Sequence, residues 1–291
     1  MANYQITNRT GAQVKAVLDK FTSTSTPNNL TLTGAISGGS LSVTGAISGD
    51  SLSVTGAISG GSLSVTGAIS GGTTLAIGGS VTASGNYSTA LGYGTTASGI
   101  ESHAEGYYTT ASGNYSHTEG YYTTASGKYS HAEGSNYDGS PTWTSSLSRT
   151  VTYNSTSYTV KGPAAIGNNA HAEGCMTFAG DYSSHAEGMY TDAIGNNSHA
   201  EGNNSVASGQ YSHAQGYYAT ASGTSSHAEG NHTIASGKYS HAEGSYTIAS
   251  GDYSHAGGNN TIASHSYQTV IGYYNTDDLD APFVIGNGYG G

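Results

Sequence analysis

Ser198-His199-Ala200-Glu201-Gly202 is the stretch from which the rest of the chain is read. His-Ala-Glu-Gly returns at His103, His131, His171, His185, His227 and His241. One-residue variants stand at His117 (Thr118 for Ala), His213 (Gln215 for Glu) and His255 (Gly257 for Glu). Apart from one gap these histidines are 14 residues apart, and Ala-Ser-Gly falls midway, as at Ala111-Ser112-Gly113 and Ala235-Ser236-Gly237. A glycine therefore arrives every seven residues, through Gly92, Gly99, Gly106, Gly113, Gly120, Gly127 and Gly134. A short fixed period means stacked units, none of which buries a core alone.

Fourteen residues are too few for a helical repeat and suit one coil of a β-solenoid with two short strands. The glycines are expected to supply the positive φ of tight corners. With a 26-residue insertion left out, 12 periods separate Gly78 from Gly272. At the parallel-strand spacing the stack is then roughly 60 Å tall.

Composition agrees with a narrow-cored roll: 45 Gly, 24 Tyr, 35% hydrophobic residues and 9% charged. Strict periodicity separates such a chain from a disordered one of similar make-up. Ala, Ser and Thr bury little apolar area, so association is expected to complete the core. A net charge of −11 with seven Lys+Arg and no basic run argues against nucleic acid and anionic membranes as partners. The single cysteine, Cys175, excludes an internal disulfide framework and reads as a small buried thiol rather than a nucleophile. Met1 to Gly11 has no apolar h-region, and no run of 18 apolar residues exists, so neither a signal peptide nor membrane insertion is expected.

Along the chain, residues 1–29 hold Val14, Val17, Leu18 and Phe21 at i, i+3, i+4 and i+7, a short amphipathic helix suited to attachment or trimerisation. Residues 30–72 carry an 11-residue repeat, Thr-Gly-Ala-Ile at Thr33, Thr44, Thr55 and Thr66 with Ser-Leu-Ser-Val between. Its alternation predicts a β-stranded shaft of chains wound together. The 14-residue roll occupies 73–274, interrupted by an insertion over 138–163 that contains Trp143. Within the insertion, Thr150 to Val160 reads as a hairpin with Val151 facing Val160 and Tyr153 facing Tyr158. Residues 275–291 form a C-terminal tip with an acidic loop (Asp277, Asp278, Asp280) and Phe283-Val284-Ile285-Gly286-Asn287-Gly288.

In His-Ala-Glu-Gly, His and Glu share one side of a strand and Ala takes the other. Stacking turns them into ladders: His103/Glu105, His117/Glu119, His131/Glu133, His171/Glu173, His185/Glu187, His199/Glu201, His213, His227/Glu229, His241/Glu243 and His255. The residues allow two readings: columns that bind divalent metal, or a polar seam in which imidazole donates to carboxylate. The seam is preferred, with no metal expected. The same slot takes Leu75/Ile77, Thr89/Leu91 and Thr269/Ile271 at the ends of the roll, which marks it as packed, so its His and Glu need mutual hydrogen bonds. The pattern leaves open whether that face looks into the roll or toward neighbouring chains.

No catalytic residues and no cofactor are expected. Catalytic carboxylates are set apart by differing environments, whereas nearly every Glu here occupies one repeat slot. Asp181, Asp192 and Asp252 read as turn formers. Tyr115, Tyr129, Tyr211, Tyr239 and Tyr253 recur at corners and read as inter-coil stacking. The receptor-binding candidates are the insertion's Trp143, Tyr153, Tyr158, Arg149 and Lys161, since solenoid insertions gather on one face.

At these repeats the chain resembles the head of the YadA-like trimeric adhesins. That family's repeat runs approximately Ser-Val-Ala-Ile-Gly, then Ala-Ser-Gly half a period later. Ser-His-Ala-Glu-Gly and Thr247-Ile248-Ala249-Ser250-Gly251 occupy those places here, and Thr269-Val270-Ile271-Gly272 and Leu75-Ala76-Ile77-Gly78 lie closer to the consensus. The resemblance covers 73–274 and implies an all-β, left-handed parallel β-roll assembled as a homotrimer. His and Glu in place of Val and Ile depart from an apolar interface. The N-terminal helix, the shaft and Phe-Val-Ile-Gly-Asn-Gly look like phage and prophage tail fibres, in which a further module often follows; a processed or naturally short chain is expected.

These readings lead to a trimeric tail-fibre or tailspike-like receptor-binding protein in a virion tail. Its N-terminus would meet a tail or baseplate protein, and its insertion or tip would meet a host-surface glycan or protein. A self-assembling filament protein and a fragment of a bacterial cell-surface adhesin are the alternatives.

Overall fold

The computed structural model describes residues 74–136, 148–275 and 281–288. The expected helix at 13–21, the shaft at 30–72, Trp143 and Asp277, Asp278 and Asp280 lie outside the described residues. Among those described there is no helix, and so none long and apolar enough to cross a membrane.

Two parallel sheets form the roll. The wide sheet stacks 14 strands, mostly of five residues and typified by His199–Asn203. The narrow sheet stacks 12 two-residue strands, typified by Val206–Ala207. Every register step is one coil: His185 pairs with His199, His199 with His213, and Val206 with Thr220. Phe283–Asn287 continues this register on Thr269–Tyr273, so part of the tip is a last rung of the wide sheet.

The coil's sequence explains its cross-section. Ala200 and Ala207 point inward with no exposed surface, and Ser198 and Ser205 fill the remaining interior. Columns of alanine, serine and threonine thus make the core, while His199 and Glu201 stand half-buried on the outer side of the wide sheet. The His–Glu face therefore looks out of the roll, which settles the orientation the pattern left open. The Ser of Ser-His-Ala-Glu-Gly closes the turn that leads into the wide strand. Ser212 Oγ donates to Gly209 O at 2.7 Å, and Ser226, Ser240 and Ser254 repeat the bond one coil further each time. With so little apolar area per coil, stability comes from main-chain ladders such as His199 N to Ser212 O and Val206 N to Ala219 O, at 2.9 and 2.8 Å.

The corners differ from expectation. Of the two glycines in each coil, the one closing His-Ala-Glu-Gly has positive φ, +98° at Gly202, and the Ala-Ser-Gly one does not. The Ala-Ser-Gly glycine is required for a different reason: a Cβ on Gly209 would lie 2.0 Å from Gly223 O of the next coil. The left-handed corner residue comes two positions after each glycine and is most often tyrosine, as at Tyr108, Tyr115, Tyr122 and Tyr129. A non-glycine residue there costs about 1–2 kcal/mol. Two ladders offset it. Tyr129 N donates to Asn114 O at 2.9 Å, and the rings of Tyr115 and Tyr129 stack at 4.9 Å. Tyr239, Tyr253 and Tyr267 form a similar stack, as do Tyr218, His232 and Tyr246. The expected inter-coil role of tyrosine is what these stacks display.

The insertion ends in a hairpin of Arg149–Tyr153 and Thr156–Val160. Its register is two residues tighter than the sequence suggested: Val151 faces Tyr158, and Tyr153 faces Thr156. Asn154 and Ser155 both adopt left-handed φ (47° and 59°), giving a two-residue turn whose twist suits the strands, in place of a four-residue loop.

Candidate functional site

Two faces carry the side chains singled out by the sequence. On the wide sheet, the imidazoles from His117 to His241 form one continuous stack, with centroids 4.7–4.9 Å apart and planes within 6°. His255 extends it at 5.1 Å, while His103 turns edge-on to His117. Beside them runs the glutamate column, and an open groove of about 1040 Å³ follows it from Leu91 to Gly216.

The expected seam forms only at the two ends. His103 Nε2 reaches Glu105 at 3.4 Å and His255 Nε2 reaches Glu243 at 3.3 Å. Between them the nearest imidazole–carboxylate separations are 3.6–4.0 Å, beyond hydrogen-bond range. The Nε2 atoms of His131, His171, His185, His199, His213, His227 and His241 are all covered and lack a hydrogen-bond partner in the chain. One rung every strand spacing fixes the rings in a stack, and the stack holds each nitrogen short of its carboxylate.

Electrostatics follow from the same spacing. Desolvation, then the neighbouring imidazoles, pushes the histidines below their usual range at His117, His131, His185 and His227, and His213 falls to about 4. Burial and stacking thus favour the neutral form of these five rings. Carboxylates one coil apart cannot all ionise. Hydrogen bonds from carboxyl to carboxylate raise Glu119, Glu173 (to about 7) and Glu201, and lower Glu133 and Glu187 between them. Raised and lowered carboxyls thus alternate from Glu119 to Glu201. Gln215 is the fixed version of a protonated rung: its amide donates to Glu229 at 2.7 Å.

The second face is where the hairpin sits on the narrow sheet. Val151, Val160, Ala164 and Phe178 are buried together, with Tyr153, Tyr158, Ile166 and Ile194 packed around them. Arg149 donates to both carboxylate oxygens of Asp192, at 2.5 and 2.9 Å, and to the carbonyls of Met176 and Thr191. Asp192 is therefore an ion-pair anchor rather than a turn former. Asp181 and Asp252 do accept turn and corner amides, from Tyr182 N and Lys238 N.

Of the receptor-binding candidates, Arg149 is committed to Asp192, and Tyr158 packs on Phe178 with ring centroids 5.4 Å apart. Tyr153 is half-buried, and burial, then a hydrogen bond with Asp181, pushes its hydroxyl up to about 12. These three fasten the hairpin. Lys161 remains exposed, its ammonium 5.9 Å from the Tyr122 ring at the mouth of a cavity of about 500 Å³. Sequence reasoning missed the seat itself, although a signal existed. The narrow strand's Thr-x-Ser pattern (Thr124, Ser126; Thr220, Ser222) breaks to Ala164 and Ile166, Phe178 and Gly180, and Asp192 and Ile194 where the hairpin lands. Gly180 is part of this change, since a Cβ there would lie 2.6 Å from the Phe178 ring.

The family model for the YadA head domain repeat matches residues 70–95, 92–116, 186–212 and 214–240. A search of curated proteins finds no match. The chain thus carries YadA head repeats within a parallel β-solenoid.

Proposed function

We propose that this protein is the rigid, non-enzymatic head of an extracellular adhesin, in which three copies associate through the outer side of the wide sheet and the hairpin faces outward to a host-surface glycan or protein. One observation carries this reading. The slot that holds the His–Glu ladder holds isoleucine at both ends of the roll, and there Ile77 and Ile285 are 50% and 64% exposed in a single chain. A face that runs from apolar through half-buried polar to apolar, on a roll whose own core is alanine, calls for cover by another chain. The YadA head repeats agree with a cell-surface adhesin, and this is favoured over a virion tail fibre.

Light scattering on the purified chain should give three times its 29.3 kDa mass; a monomer at micromolar concentration would end the proposal. The adhesive role is tested with a chain lacking 138–163, which leaves the 14-residue period intact. Loss of binding to a target cell or glycan array with the trimer preserved supports the hairpin as the contact, and undiminished binding removes it. The tail-fibre reading draws on the 11-residue repeat of 30–72, and baseplate genes beside this one would restore it.

A further inference from the structure

We propose that the histidine–glutamate column is a linear array of binding sites for a divalent transition metal of the zinc class, each built from one or two histidines and the glutamates beside them. The triads are His103–Glu105–His117, Glu119–His131–Glu133 (one histidine between two glutamates), His171–Glu173–His185, His199–Glu201–His213 and Glu229–His241–Glu243. In each, the ligand atoms lie within 4.8 Å of one another.

Three features point to an ion rather than a hydrogen-bonded seam. First, seven successive Nε2 atoms are covered and unpaired within the chain, a costly state for a polar atom that metal ligation would relieve. Second, the interior Nε2–carboxylate separations of 3.6–4.0 Å are too long for hydrogen bonds. Two ligands on one tetrahedral zinc, each about 2.0–2.1 Å from it, stand about 3.3 Å apart, so an ion would draw together, by rotation about the side-chain torsions, ligand atoms that now lie within 4.8 Å of one another. Third, the chemistry of the donors fits: imidazole with carboxylate selects zinc and its neighbours over calcium or magnesium.

Three ligands come from one chain, and the fourth position opens away from the roll to water or a neighbouring copy. The sites do not depend on trimerisation. They end with the ladder, because Leu75, Thr89 and Thr269 take the histidine slot beyond it.

The test uses the full chain stripped with chelator and titrated with Zn²⁺ by calorimetry, and with Co²⁺ by visible absorption. The expected result is saturable binding of several ions per chain, proton release on binding, and intense tetrahedral Co²⁺ bands. His199→Gln with His213→Gln should remove one ion per chain and leave the rest, Glu201→Gln should weaken the same site at least tenfold, and His232→Gln, off the column, should change nothing. Retention of full stoichiometry in the double variant overturns the proposal, as does Zn²⁺ binding no stronger than to the chelator-treated chain unfolded in urea. Should the double variant misfold, anomalous scattering from Zn²⁺ in crystals of the unaltered chain decides: peaks between Nε2 and carboxylate support the array, and their absence refutes it. Chain mass measured in the same samples separates failure of this inference from failure of the trimer.

Discussion

The wide-sheet face and the hairpin seat are built from the same coils, yet one is a copy of itself at every rung and the other occurs once. On the wide sheet, His and Glu repeat in register, so each side chain's main neighbour is its own copy a strand spacing away, and properties emerge as columns: stacked imidazoles and, from Glu119 to Glu201, carboxyls raised and lowered in turn. On the narrow sheet, three successive coils abandon Thr-x-Ser: Phe178 meets Tyr158, Asp192 meets Arg149, and Ile166 and Ile194 pack against the cluster that holds the hairpin. Repetition yields a surface whose unit is the column. Departure from repetition yields a surface whose unit is the single residue.

That contrast is broken most severely by changing what both faces share. Gly209→Ala puts a Cβ 2.0 Å from the next coil's carbonyl, and should cost more than about 4 kcal/mol and collapse the stack on both sides, read as loss of the cooperative thermal transition. Phe178→Ala should act on one face only, costing about 3 kcal/mol. Hydrogen exchange would then show Thr156–Val160 unprotected while the wide-sheet amides stay slow. Asp192→Ala leaves Arg149 half-buried without its carboxylate and should cost about 2 kcal/mol, again confined to the hairpin.

A titration sharpens the same line. Tyr153 is raised to about 12 by burial and by Asp181, with Tyr158 the other titratable group beside it. Its folded-state value lies above that of the unfolded chain, so the folded state keeps a proton that the unfolded state gives up. The stabilisation is fully present below pH 10 and is lost as pH rises toward 12. Urea midpoints measured between pH 8 and 11 should fall more steeply for the unaltered chain than for Tyr153→Phe. The smallest effect is expected at a corner. Tyr129→Asn exchanges a stacked ring for a residue better suited to left-handed φ, and should lie within about 0.5 kcal/mol of the parent.

The same contrast explains what could be read without coordinates. Period 14 with small residues at fixed slots specifies a parallel roll, because a register set by repetition has only one self-consistent solution. Alternation in His-Ala-Glu places alanine opposite the other two, but it does not say which side is inward. That depended on the neighbouring columns: two alanines, a serine and a threonine per coil fill the interior and leave no room for imidazole. The corners were misassigned to glycine, because the cost of a left-handed tyrosine is offset by a stack of tyrosines that no single coil reveals. Within the chain the seam was overestimated for a geometric reason, since rings stacked face to face rest with their nitrogens 3.6–4.0 Å from the nearest carboxylates. Arg149 and Tyr158 read as exposed ligands for a receptor because the three coils that receive them were seen only as imperfect repeats.

The claim on which the functional account turns is that copies meet across the wide sheet and keep the narrow one outside. Spin labels placed singly by Glu201→Cys and Ser208→Cys, with distances between chains measured by pulsed dipolar spectroscopy, test it directly. The account predicts short, narrowly distributed distances for the Glu201 position and long ones for Ser208. The reverse order, or no intermolecular signal from either, would contradict it.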